Sequence, residues 1–204
     1  MCLSGLDGAQ MRDVARGTAA KLKFSLVDEE IVLGAAASAG VEPAVVADAE
    51  RRRSFVERAL QGIGAGTDAS AVALAGGAMI DAGAGLGDDL RALILQAIEE
   101  TADRSKVVIV SHAASHALAS RPDIVRVLVT ASPETRRARV AAERGLAEKD
   151  AAKAVDRADA ARADYLRRFY GAKRELPTQY DLVVNTDRLT PDEAVKLVVL
   201  AAGR

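Results

Sequence analysis

Cysteine is nearly absent from this chain of 204 residues: Cys2 stands alone. That excludes an internal disulfide and suits a reducing cytoplasm. Aromatic residues are scarce at 3%, with no tryptophan, so a core has to be built from Leu, Val and Ile rather than from the abundant alanine. Neither sign of charge is in excess. The 28 Lys and Arg against 29 Asp and Glu give a net charge of −1, which removes the electrostatic case for nucleic acid or an anionic membrane as partner. Long apolar runs are missing too. The most apolar stretch, Ala69 to Ile80, falls short of the roughly 20 residues a bilayer demands and carries two glycines. No charged-then-apolar leader opens the chain, so no secretory signal is expected and the expected location is the cytoplasm.

What is present alternates. Short β-branched runs at Met1–Ser4, Phe24–Val27, Val107–Val110, Val125–Thr130 and Asp181–Asn185 are separated by helical patterns, the signature of βαβ units and a parallel sheet. Three of the runs (VVIV, VRVLV, DLVV) are near-continuously apolar, as strands covered by helices on both faces should be. Helix starts are marked by Ser132-Pro133-Glu134 and by Thr190-Pro191-Asp192-Glu193, the second a capping box. Gly145 and Gly171 sit where helix C-caps belong, and a long helix is expected from about Ala147 to Tyr170. Between Asp28 and Gly87 the alternation breaks. Helices are expected at Glu29–Ala39 and Pro43–Leu60, followed by a Gly/Ala-rich stretch, and this segment reads equally as a substrate flap or as a loop without a role.

The first strand runs into "SGLDGAQMRDVARGTAAKL", residues 4–22, with the strand–glycine–helix order of a phosphate loop. A Walker A loop needs glycines for its backbone cradle, a Lys for the phosphates and a hydroxyl for Mg²⁺. Counted from Gly5, those places hold Gln10, Met11 and Arg12. A second register over Arg16-Gly17-Thr18 replaces both glycines and lies too far from the strand. The loop alone therefore leaves open whether it ever held a phosphate.

Downstream, "VVIVSHAASHALASRPDIVRVLVTASPETRRARVAAERGLAEKDAAKAVDRADAARADYLRRFYG" and "YDLVVNTDRLTPDEAV" resemble the cytidylate-kinase-like family of P-loop nucleoside monophosphate kinases, as does "AAKLKFSLVDEEI" upstream. The resemblance covers about two-thirds of the chain. It implies a single domain, 1–204. The expected fold is a three-layer α/β sandwich on a five-stranded parallel sheet, adenylate-kinase-like, with a helical flap at about 29–87 and a lid at about 133–170. It implies ATP and Mg²⁺ as cofactors and a nucleotide or other small phosphorylated molecule as partner. On this framework Gly5, Gly8, Ala9, Gln10 and Met11 form an altered nucleotide-binding loop. Arg12 holds the place of an arginine that some relatives use instead of the Walker lysine. Arg136 and Arg139 match lid arginines that neutralise the transferring phosphoryl group, and Asp28 matches an acidic position near the substrate.

Three departures stand against that pattern. Gln10 and Met11 carry Cβ atoms where relatives have glycine. His112 replaces an arginine that grips the substrate phosphate, and a mostly neutral imidazole makes no bidentate clamp. The family's R-x-x-x-D-x-x-R helix retains Asp159 and Arg162 but has Val155 at its first position, which is expected to leave one wall of the substrate cleft apolar. Each retained residue has a plain alternative: Arg12, Arg137 and Arg144 as solvated charges, Asp159–Arg162 as an i,i+3 surface ion pair. His112 and His116, four apart, read as a polar pair at a cleft mouth, and no metal site is expected. Three functions remain in play. They are a weak or inactive phosphotransferase moving the ATP γ-phosphate to a nucleoside monophosphate or related acceptor, a non-catalytic nucleotide-binding regulator, and a scaffold with a vestigial cleft.

Overall fold

The computed structural model describes residues 1–28, 92, 94–111, 114–173 and 175–203. The expected flap helices at 29–39 and 43–60, the Gly/Ala-rich stretch and His112 lie outside the described residues.

Strand β1 (Cys2–Gly5) leads to helix α1 (Met11–Leu22) and β2 (Ser25–Val27). A helix over 94–103, α2, precedes β3 (Val107–Val110), the single-turn helix α3 (Ala114–Ala117) and β4 (Arg126–Thr130). Then come α4 (Pro133–Arg144), α5 (Glu148–Tyr170), a 3-10 turn (Pro177–Gln179), β5 (Leu182–Asn185) and α6 (Pro191–Ala202). The five strands form one sheet in the order β2-β3-β1-β4-β5, with every neighbouring pair parallel. All five expected strands are present, with ends shifted by about a residue.

Alternation along the strands divides the core in two. Cys2, Val107 and Ile109 pack with Ile94, Ile98, Leu118 and Ile124 on one face. Their sequence neighbours Leu3, Val108 and Val110 pack with Val14, Val127, Val129, Val195 and Val198 on the other. Successive strand side chains point to opposite faces, so a run such as VVIV, buried at all four positions, has to be covered twice. This is a three-layer α/β sandwich.

Local chemistry fixes the helix ends. The Ser132 hydroxyl accepts the Thr135 N–H at 3.3 Å with Pro133 in the first turn. Thr190 and Glu193 close a reciprocal capping box at the start of α6. Helices α4 and α5 end at Gly145 and Gly171, both left-handed. Helix α1 lies so close to α6 that a Cβ on Gly17 would meet Val195 Cγ2 at 2.7 Å. That contact sets α1, and the loop before it, firmly over the sheet. The order reverses around β1, and in an open parallel sheet the C-terminal edge at such a switch point is where ligands bind. No helix among the described residues is long and apolar enough to cross a membrane.

Candidate functional site

The loop leaving β1 runs directly into α1, the strand–turn–helix course expected from the sequence. The chain turns at Asp7 and Gly8 (φ 78°), the Ala9 N–H returns to the Leu6 carbonyl at 3.0 Å, and Gln10 opens α1 at φ 61°. Left-handed backbone at a residue with a Cβ costs about 1–2 kcal/mol. Gln10 adopts it nonetheless, where relatives resembling this chain place glycine. No side chain caps α1 at Gln10. The first helical N–H groups, at Met11 to Asp13, have no intrahelical acceptor and form the positive end of the helix.

Tight packing against α4 and β5 holds the loop from behind. A Cβ on Gly8 would meet the Arg136 carbonyl oxygen at 2.7 Å, so only glycine lets the two backbones touch. Arg136 Nη1 donates to the Asp7 carbonyl and Arg139 Nη1 to the Gly8 carbonyl, each at 3.4 Å. Thr186 Oγ1 donates to the Ala9 carbonyl at 3.1 Å. In a planar trans peptide the N–H points opposite to the C=O. The Gly8 amide is therefore aimed away from α4 and the Gln10 amide away from Thr186, as a cradle for an anion requires.

The arginines expected to meet phosphate all have partners in the chain. Arg136, its side chain 4% exposed, forks onto Asp159 at 2.8 and 2.6 Å. Arg139 donates to the Thr186 hydroxyl and carbonyl at 3.0 and 2.6 Å. Arg144 meets Asp7 at 2.6 Å and Arg137 meets Asp156 at 2.8 Å, so neither is simply solvated. Arg12 reaches Asp28 at 3.5 Å in an open pair that contributes little. Arg162 forks onto Glu175 at 2.9 and 2.6 Å, with the Tyr180 hydroxyl bonded to the same carboxylate. Asp159 and Arg162 thus bind elsewhere, not each other as an i,i+3 pair would. Burial opposes the Arg162 charge, but Glu175 outweighs it and raises the guanidinium's pKa. Burial likewise opposes the Glu175 charge, yet Arg162 holds that carboxyl below its ordinary value.

Asp159, Arg162 and Glu175 line a cleft of about 190 Å³ together with Leu6 from the loop, Ala163, Leu166, Ala172 and Lys173. Val155 does not. It is fully buried with Val140 and Ala151 in the seam between α4 and α5, which corrects the expectation of an apolar cleft wall. Seven residues of helix advance about 10 Å, so a shared face still spreads its members along the axis. On the far side of β1, Ser4 Oγ donates to the Ser111 carbonyl at 3.0 Å and lies 3.1 Å from Ser115 Oγ. Cys2 is buried beside Ser115, and burial pushes its thiol up to about 11, which leaves it inert as a nucleophile. His116 stacks on Tyr170 at 5.5 Å, and burial lowers its pKa.

Residues 1–188 match the Cytidylate kinase-like family. The chain belongs to that family. No curated protein matches the sequence significantly. Among solved structures it is similar to an uncharacterized protein from Eubacterium ventriosum ATCC 27560, with TM-score 0.67 and 16% identity over 99% of this chain and 96% of that one. It is also similar to shikimate kinase from Bacteroides thetaiotaomicron, with TM-score 0.53 and 15% identity over 100% and 97% of the two chains. At such identities the likeness concerns the fold alone.

Family membership implies ATP and Mg²⁺, and the two fit unequally. The uncapped α1 terminus and the turned-away amides suit a phosphate. Mg²⁺ takes oxygen ligands around an octahedron, and the loop position for a metal-binding hydroxyl holds Arg12. Among the described residues no group of three or more His, Cys, Asp or Glu could hold a metal ion. The described residues thus offer no all-protein cage for Mg²⁺ and no hydroxyl at the loop position.

Asp7, Lys173, Glu175, Tyr180 and Thr186 escaped the sequence reading. Thr186 alone had a signal: it follows the last strand at the sheet's C-terminal edge, where parallel-sheet proteins gather binding residues.

Proposed function

We propose that this cytidylate kinase-like protein binds a nucleotide or another small phosphorylated molecule at its altered loop, with phosphoryl transfer weak or lost. The carrying observation is the partnering of its arginines. Arg12, Arg136, Arg139, Arg144 and Arg162 each meet an acceptor from the chain. Phosphoryl transfer is catalysed almost wholly by positioning and by positive charge on the transferring group. A cation already neutralised by a carboxylate adds little, and losing one such stabiliser lowers turnover by about 10²- to 10³-fold.

In this reading the amides around Gly8, Gln10 and Met11 take the phosphate, Arg12 closes over it, and Asp28, Asp159 and Arg162 face the remainder of the ligand; His112, outside the described residues, is assigned to the same ligand by the family resemblance. The segment 29–87 serves as flap and 133–170 as lid within one cytoplasmic domain. Nothing in the charge balance favours nucleic acid. A working phosphotransferase is the second reading, favoured by the loop backbone keeping its turn through a left-handed Gln10.

The test is titration of ATP and CMP with and without Mg²⁺, beside a phosphoryl-transfer assay. Binding with a turnover on CMP or dCMP far below the ordinary kinase range of about 1–100 s⁻¹ is the expected result. Turnover inside that range overturns the reading, and absence of any nucleotide or phosphate binding leaves the scaffold.

A further inference from the structure

Between α5 and β5 the described residues 171–173 and 175–181 form a strap fixed at its two ends, with Ala172, Lys173 and Glu175 lining the cleft. At one end the Gly171 and Ala172 N–H groups bond back to Arg167 and Leu166 of α5 at 3.1 and 3.2 Å. At the other, Tyr180 is buried and the Asp181 carboxylate takes three bonds from Arg126 at 2.8 to 3.1 Å. Between these anchors Lys173, Leu176, Pro177 and Thr178 are exposed. The middle of the strap buries little, so lifting it exposes little apolar surface.

Among the described residues, the side chain that ties the middle to α5 is Glu175. Glu175 places both carboxylate oxygens on the Arg162 fork and accepts the Tyr180 hydroxyl. Planar two-oxygen contact is also how a guanidinium grips phosphate or a ligand carboxylate. Arg162 lines the cleft beside Leu6 of the phosphate loop, and Lys173 lines it from the strap. From these contacts we propose that Glu175 is an internal anion standing where the acidic group of a ligand would stand, so that an anionic ligand enters the cleft only by displacing Glu175 from Arg162 and raising the strap. This rests on the reading that the cleft is a ligand site. It makes Glu175 a residue that sets affinity and selectivity for anions, with Lys173 free to follow the incoming charge.

The experiment compares inorganic phosphate and CMP binding, by calorimetry, in wild type, Glu175→Gln, Tyr180→Phe and the double variant Glu175→Gln/Arg162→Ala. Glu175→Gln keeps the shape and removes the competing charge, and is expected to bind phosphate about tenfold more tightly. The double variant should lose that gain, which separates a vacated Arg162 from a general change of charge. Tyr180→Phe strips one bond from the latch without leaving an unpaired charge, and should tighten binding by about twofold to threefold. It decides the matter alone if Glu175→Gln does not fold. Unchanged affinity in Glu175→Gln and Tyr180→Phe, with wild type still binding nucleotide, overturns the latch and leaves the proposed function standing. Failure of every variant and of wild type to bind either probe overturns both. A gain that persists in the double variant also overturns the latch.

Discussion

Replacing either member of the Arg136–Asp159 pair is expected to have unequal consequences, because the two ends differ in exposure. Arg136 is 4% exposed and Asp159 39%. Asp159→Ala leaves a buried guanidinium whose remaining acceptor here is the Asp7 carbonyl at 3.4 Å, and whose Nε has no partner among the described residues. Stripping the partner from a fully buried charge costs about 3–5 kcal/mol. Water reaches this pair from the Asp159 side, so about 2–3 kcal/mol is the expected loss. Arg136→Met leaves only a carboxylate that water can solvate, while the aliphatic part still fills the space behind the loop. Its cost should be about 1 kcal/mol.

The double variant Asp159→Ala/Arg136→Met should then sit near Arg136→Met, giving a coupling of about 2 kcal/mol in a double-mutant cycle. Urea unfolding of the four proteins measures it, with the slope checked for constancy. In thermal unfolding Asp159→Ala should lie about 5–10 °C below wild type. If Arg136→Met proves as damaging as Asp159→Ala, the argument from unequal burial fails. A coupling below about 0.5 kcal/mol would mean that the pair is not a working link between the loop, α4 and α5.

The acid limb of stability should carry the signature of Glu175. Its folded pKa lies below the ordinary 4.5, so its contribution is complete above that value and fades as pH falls through the folded one. Wild type should therefore lose stability relative to Glu175→Gln on going from pH 7 to about pH 3, and a stability difference that stays constant over that range contradicts the assignment. Gly8→Ala should destabilise by about 2 kcal/mol or more, since a Cβ meets the Arg136 carbonyl at 2.7 Å on a left-handed backbone. A loss under about 0.5 kcal/mol in urea would show that the loop and α4 separate freely.

The sheet was legible because its signals are local. VVIV and RVLV have to be strands covered on two faces, and Ser132-Pro133 and Thr190-Pro191 announce helices through hydrogen bonds made within a few residues. The course of the first loop, from strand through a turn to a helix, was legible from order alone. The left-handed Gln10 was not, since propensity argues against it and only packing behind the loop holds it there. The partners of the arginines were illegible for a different reason. Asp7 lies 137 positions from Arg144, and Glu175 sits in a connection with no pattern to mark it. Side-chain spacing along one helix said that Asp159 and Arg162 share a face. It could not say that Arg136 from the preceding helix would claim the first, or that the strap would claim the second.

An arginine motif specifies where a positive charge stands, and its function depends on where the matching negative charge comes from. In a phosphate-transferring site the ligand brings it. In this chain Asp28, Asp159, Asp7 and Glu175 bring it instead. The residues therefore hold their positions without a ligand, and the same bonds fasten α4 to the loop and to α5. Binding an anion at such a place means exchanging one carboxylate for another acid, with the displaced carboxylate returning to water. The net gain from that exchange is small, since two charge-assisted bonds are broken for two that are made. Backbone amides are under no such constraint: those of Gly8 and Gln10 face away from the carbonyls that α4 and β5 have taken. Affinity for phosphate in this protein should therefore reside in the loop's main chain, and the arginines should decide which ligands are admitted.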